Sequence, residues 1–180
     1  VSAPNLTAIR KAIVDVLEGN AGSVRTVSSG TFRYVEHVGH VIEKAQREGQ
    51  DTRVAANIFD VDFTDIRAFT QDYSSALGNS RIITIAIEIN VARYLLSRAT
   101  DEDRVKAKDQ LLVDCFSATQ ALGLPDNLTA TLDGTATDIA SGCLSHNTYP
   151  EIGRIQPDWE NHLLRVLITA TALVQVAQEV

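Results

Sequence analysis

Residues 81–91 read RIITIAIEINV, with Ile83, Ile85, Ile87, Ile89 and Val91 alternating with Ile82, Thr84, Ala86, Glu88 and Asn90. Successive side chains of an extended chain point to opposite faces, so this pattern predicts a strand with one apolar face. The C-terminal HLLRVLITATALVQVAQEV, residues 162–180, predicts a second long strand. Val166, Ile168, Ala170, Ala172, Val174 and Val176 share one of its faces; Leu167, Thr169, Thr171, Leu173 and Gln175 share the other. In ANIFDVDFTDI, residues 56–66, Phe59, Val61 and Phe63 alternate with Asp60, Asp62 and Thr64, as in a half-buried strand. The polar, turn-rich stretch 67–80 joins it to the isoleucine strand, and is longer than an ordinary hairpin loop.

Helical spacing marks other segments. Leu6, Ile9, Ile13 and Val16/Leu17 predict a helix over 5–18, with Gly19 as its stop. Residues 24–32 read as a short strand running into a loop. Val35, Val38, Ile42 and Ala45 predict a helix over 34–48, although Gly39 lies inside it. A third helix starts at Thr100. Asp101, Glu102 and Asp103 fill a first turn where negative charge suits the helix dipole, and Asp103 stands three residues after Thr100 as in a capping box. Its expected buried stripe is Val105, Leu112, Cys115/Phe116 and Leu122, closed by Gly123 and Pro125. Residues 127–153, rich in Gly, Ser and Thr, predict short strands mixed with loops.

Neighbouring strands without a crossover helix pair antiparallel. The expected architecture is therefore one α+β domain over residues 1–180: a mostly antiparallel β-sheet with helices packed on one face, that of Ile83–Val91. No internal repeat or domain linker interrupts it.

Composition narrows the classes of function. Hydrophobic residues make up 44% of the chain and charged residues 22%, as in ordinary globular domains. The net charge of −7 argues against a protein that grips nucleic acid by its phosphates. Residues 101–150 carry eight acidic and three basic residues, which reads as a solvated acidic face. The only cysteines, Cys115 and Cys143, do not make a disulfide framework, and Cys115 reads as a small core residue. The start VSAPNLTAIRK has no signal-peptide pattern, and apolar runs are too short to span a bilayer. The expectation is a soluble protein of a reducing compartment, with no membrane partner; the sequons at Asn5 and Asn127 read as chance matches.

Candidate chemistry is sparse. Asp60 and Asp62 lie two apart on one strand, so their carboxylates project from one face and, with Glu88 on the next strand, offer oxygen ligands for a divalent metal. A nuclease built on Asp…Glu-x-Lys wants lysine at position 90, where this chain has Asn90. Alternating acids on a solvent face are the ordinary alternative. Glu36, His37 and His40 lack the spacing of a zincin helix and read as exposed residues. Ser29 is not in a nucleophile elbow, Cys143 with nearby His146 is poor evidence for a catalytic pair, and the glycines form no phosphate-binding loop. Trp159, beside Pro157 and Asp158 at a turn before the last strand, either packs on its own sheet or anchors an oligomer contact.

The succession of an N-terminal helix, a sheet with a long loop between central strands, a helix across it and PDWENHLLRVLITATALV near the C-terminus resembles the tail terminator proteins of long-tailed bacteriophages. The resemblance spans most of the chain and rests on layout. It implies a structural virion protein without active site, metal or cofactor, assembled in the host cytoplasm. Such a protein forms a ring, usually a homohexamer, that caps the tail tube and meets the head connector or a neck protein. DNA passes through the lumen without specific binding, and an acidic lining suits that. Candidate subunit-interface residues are Phe69, Tyr73 and Leu77 in the 67–80 loop, with Arg154 and Trp159. The alternatives are another neck or tail-completion protein, a metal-dependent hydrolase or nuclease using Asp60, Asp62 and Glu88, or a small bacterial binding module.

Overall fold

The computed structural model describes residues 6–20, 27–48, 57–68, 80–95, 99–122, 129–132, 135–138 and 150–177. The elements are α1 (Leu6–Glu18), β1 (Phe32–Tyr34), α2 (Val38–Glu48), β2 (Asn57–Ala68), β3 (Ser80–Tyr94), α3 (Asp101–Leu122), β4 (Thr129–Leu132), β5 (Thr135–Asp138), β6 (Glu151–Ile152), β7 (Gln156–Asp158) and β8 (Leu163–Ala177). The chain is an α+β fold, and no helix among the described residues is long and apolar enough to cross a membrane.

The two strands with the clearest alternation form the centre. β3 and β8 pair antiparallel along their whole length, from Ser80 opposite Ala177 to Tyr94 opposite Leu163. β2 pairs antiparallel with the other edge of β3, with a bulge between Phe63 and Asp65. β6 and β7 pair with the outer edge of β8, while β4 and β5 form a separate two-stranded sheet. Alternation then decides burial. Phe59, Ile85, Ile87, Ile89, Val91, Leu164 and Ile168 face a core closed by Ile9, Ile13, Val16 and Leu17 of α1 and Leu111, Cys115, Ala118 and Leu122 of α3.

α1 ends as its sequence requires. The Asn20 amide donates to the Asp15 carbonyl and the Gly19 amide to that of Val16, the paired bonds of a Schellman cap. Gly19 has φ 78°, and a Cβ there would lie 2.7 Å from the Val27 carbonyl oxygen. Both conditions select glycine.

The region 27–48 departs from expectation. Phe32–Tyr34 form a strand parallel to β2, with Phe32 opposite Asn57, so the helix begins at Val38 and not at residue 34. β1, α2 and β2 thus make a crossover unit. α2 consequently lies on the second face of the sheet, where Val38 and Ile42 pack with Ile58, Ala92 and Leu163. Helices cover the Ile85–Val91 face as expected for α1 and α3, but not for α2. Three residues are too few to show a period, and Val35, Val38 and Ile42 happen to keep helical spacing across the boundary.

α3 begins as read. The Asp103 amide donates to Thr100 Oγ1 at 3.2 Å and the Thr100 amide to Asp103 Oδ2 at 3.0 Å. Hydrogen bonding from the Thr100 backbone, then from its side chain, holds the Asp103 carboxyl below its ordinary value. The stripe is a correction. Cys115 and Leu122 are buried, but Val105, Leu112 and Phe116 are exposed, as is Val113. The helix has two apolar faces, and spacing alone does not say which one meets the sheet.

Candidate functional site

Asp60 and Asp62 share a face of β2, yet their environments differ completely. Asp60 lies under the start of α2 and is only 4% exposed. Its Oδ2 accepts the Val38 amide at 2.9 Å and its Oδ1 accepts the Asn90 side-chain amide at 2.7 Å. A carboxylate at a helix N-terminus satisfies a free amide and meets the positive end of the helix dipole. His37 completes this cap: its Nδ1 accepts the His40 amide at 3.2 Å, and the two exposed rings lie 4.5 Å apart. Glu36 is exposed beside them, and Ser29 is exposed in a turn.

Asp62 lies beyond α2 and is exposed. The register places it opposite Glu88, Glu88 opposite Thr169, and Thr169 opposite Glu151. Three carboxylates therefore form a row across the part of the second sheet face that α2 does not cover. A shallow cleft of about 150 Å³ adjoins this row, lined by Thr64, Ala86, Glu88, Glu151, Thr169 and Thr171. That is well below the ~300–1,000 Å³ of ordinary ligand pockets. Among the described residues no three His, Cys, Asp or Glu side chains are placed to hold a metal ion. The structure gives Asp60 to α2 and leaves Asp62 beside Glu88. Like charges directly across a strand pair destabilise it. Asp62→Asn should therefore raise subunit stability by up to ~1 kcal/mol, measured as a higher urea midpoint in a chain kept dilute.

A buried polar network that the sequence reading missed holds α3 to the sheet. Asp114 Oδ2 accepts from Arg93 at 3.0 Å and from the Asn57 side-chain amide at 2.9 Å; its Oδ1 accepts from Gln110 at 2.9 Å. Asn57 also donates to the Thr31 carbonyl at 3.0 Å. Two signals were available. Arg93 continues the Ile85–Val91 alternation onto the core face, and Asp114 falls in register with Leu111, Cys115 and Ala118. A charge on an apolar face calls for a partner.

Cys115 is fully buried beside this network. Burial first, and then the charge of Asp114, push its thiol from 9.0 up to about 12, partly opposed by Arg93. The thiolate is the reactive form. Native protein at pH 8 should leave Cys115 unlabelled by a thiol reagent that labels it in denaturant. Because the folded value is the raised one, this group's contribution to stability is complete below pH 9 and declines as pH climbs from 9 towards 12. Cys143 and His146 lie outside the described residues.

The remaining candidates concern surfaces. Phe69, Tyr73 and Leu77 lie outside the described residues. Arg154 is exposed between β6 and β7. Trp159 opens the turn between β7 and β8, closed by a hydrogen bond from the His162 amide to its carbonyl, with His162 at φ 54°. The Arg104 guanidinium of α3 sits over the indole, 5.1 Å from its centroid, and Trp159 remains 40% exposed. The ring thus sits against the first turns of α3, at Arg104.

No family model matches the chain, and no curated protein matches it. One solved structure is 15% identical, covers 97% of this chain and 99% of its own, and superposes with a TM-score of 0.40. A likeness of that degree carries no functional argument.

Proposed function

We propose that this chain is a structural subunit that works by assembling into a ring, and that the ring is a tail terminator at the head–tail junction of a long-tailed bacteriophage. The observation that carries assembly is the outer face of α3. Val105, Leu112, Val113 and Phe116 are between 45% and 57% exposed there. Single exposed apolar residues are ordinary, whereas a contiguous set on one helix marks a contact surface. The terminator assignment is supported by the order of elements and by the Pro157-Asp158-Trp159 approach to β8. The partners are then other copies of the chain, together with the tail tube protein and a neck or connector protein. Six copies are expected, around a lumen that DNA crosses unbound, and a net charge of −7 suits that passage.

Negative-stain imaging of the protein mixed with its cognate tail tubes tests this reading. Ring density at one tube end is the expected result; tubes with two bare ends reject it. A metal-dependent hydrolase would need Asp60 as a ligand, and the bonds from Val38 and Asn90 engage both of its oxygens.

A further inference from the structure

A histidine caps the first turn of α2, and a glycine makes room for it. The His37 carbonyl accepts the Val41 amide at 3.2 Å, and its Nδ1 accepts the His40 amide at 3.2 Å. Serine, threonine, aspartate and asparagine ordinarily fill this position, each through a side-chain oxygen. An imidazole nitrogen differs from these oxygens, because it accepts only while it carries no proton. The ring reaches the His40 amide by folding back over Gly39. A Cβ at residue 39 would lie 3.0 Å from His37 Cε1 and 3.2 Å from its Nδ1. Glycine weakens a helix interior, but here it leaves space for the cap. The His40 ring lies 4.5 Å from that of His37, tilted by 32°, and both are exposed.

We propose that His37 is an acid-sensitive latch on α2: its neutral ring holds the first turn of the helix, and protonation loosens that turn. The latch is independent of any assembly. Three effects act together in acid. The His40 amide loses its acceptor. A positive charge appears at the positive end of the helix dipole. A proton on His40 then adds a second like charge one ring away. Because both rings are exposed, protons reach them without prior opening of the fold.

The surroundings limit the response to one turn. From β2, Asp60 still accepts the Val38 amide, and its other oxygen is taken by Asn90, so neither oxygen is free for the new charge. Val38 and Ile42 stay buried against Ile58, Ala92 and Leu163. Glu36 before the helix and Glu43 within it are exposed, and solvent screens them. Arg33 of β1, Tyr94 of β3 and Arg165 of β8 share the sheet face under α2 by register, and Asp62 lies beyond the helix. Histidine is the side chain that ordinarily changes charge between pH 5 and 8. Besides His37 and His40, the histidine to control for is His162, next to Leu163.

Hydrogen exchange of the full chain at about pH 7.5 and pH 5.5 tests the latch, read as protection factors so that the intrinsic pH dependence of exchange cancels. Protection of the His40, Val41 and Ile42 amides should fall about five- to tenfold in acid, while α1 and α3 hold theirs. His37→Ser supplies a cap oxygen that does not titrate in this range, so protection there should stay high at both pH values. His37→Asn is a second variant of the same design. His40→Gln keeps the cap and should show a smaller fall, and His162→Gln should respond like the wild type. Wild-type protection that ignores pH overturns the latch. So does an undiminished fall in both His37 variants, a fall shared equally by α1 and α3, or a response abolished by His162→Gln.

Discussion

Arg93→Ala should destabilise the fold by about 3–5 kcal/mol, the cost of breaking a buried ion pair from one side. The Arg93 and Asp114 side chains are 20% and 11% exposed, so solvent does little to replace the lost guanidinium. Asn57 and Gln110 still donate to the carboxylate, which places the effect towards the lower end of that range. Small domains are stable by ~5–15 kcal/mol, so the loss is a large fraction of the total. Urea denaturation should show a much lower midpoint at an unchanged slope. Pairing Arg93→Ala with Asp114→Leu should recover part of the loss, since the unpaired charge is then gone. A midpoint within error of wild type for Arg93→Ala would show that Asp114 does not depend on it.

Asp60→Ala should cost about 2–4 kcal/mol, because two hydrogen bonds to a buried carboxylate are lost and two donors are orphaned. The Val38 amide loses its acceptor at the first turn of α2, and Asn90 loses its cross-strand partner. The damage should be local. Hydrogen exchange should quicken through α2 and its contacts at Ile58, Ala92 and Leu163, while α1 and α3 change little. Asp60→Asn keeps an acceptor for Val38 and should cost less. The neighbouring Asp62→Asn should change stability in the opposite direction. This opposition is the signature of a structural Asp60; a metal-binding pair would respond to both substitutions in one direction, through loss of the ion.

The strands were legible because alternation survives wherever one face is buried. Ile85, Ile87 and Ile89 pack as their spacing says, and the Thr100–Asp103 box forms as written. Other features depend on what lies across the fold, which spacing does not encode. β1 exists because Phe32–Tyr34 find an edge of β2, and that pairing turns α2 onto the second face. Asp60 looks like Asp62 in sequence, and α2 above it, with Asn90 rather than Glu88 across the strand pair, separates their roles. In α3 both faces carry apolar residues, so the stripe with larger side chains suggested burial. The sheet instead took the face of Leu111, Cys115, Ala118 and Ala121, whose small residues let the helix approach closely and whose one charge meets Arg93. The larger side chains remained outside, and that reversal is the basis of the assembly reading.

The most direct measurement is the length of tail tubes polymerised from their tube protein with and without this chain. A ring that terminates tubes should stop growth at one end, giving shorter, bounded lengths in proportion to the amount added, with Phe116→Ser markedly less effective. Tube lengths that ignore the protein at every ratio would contradict the account.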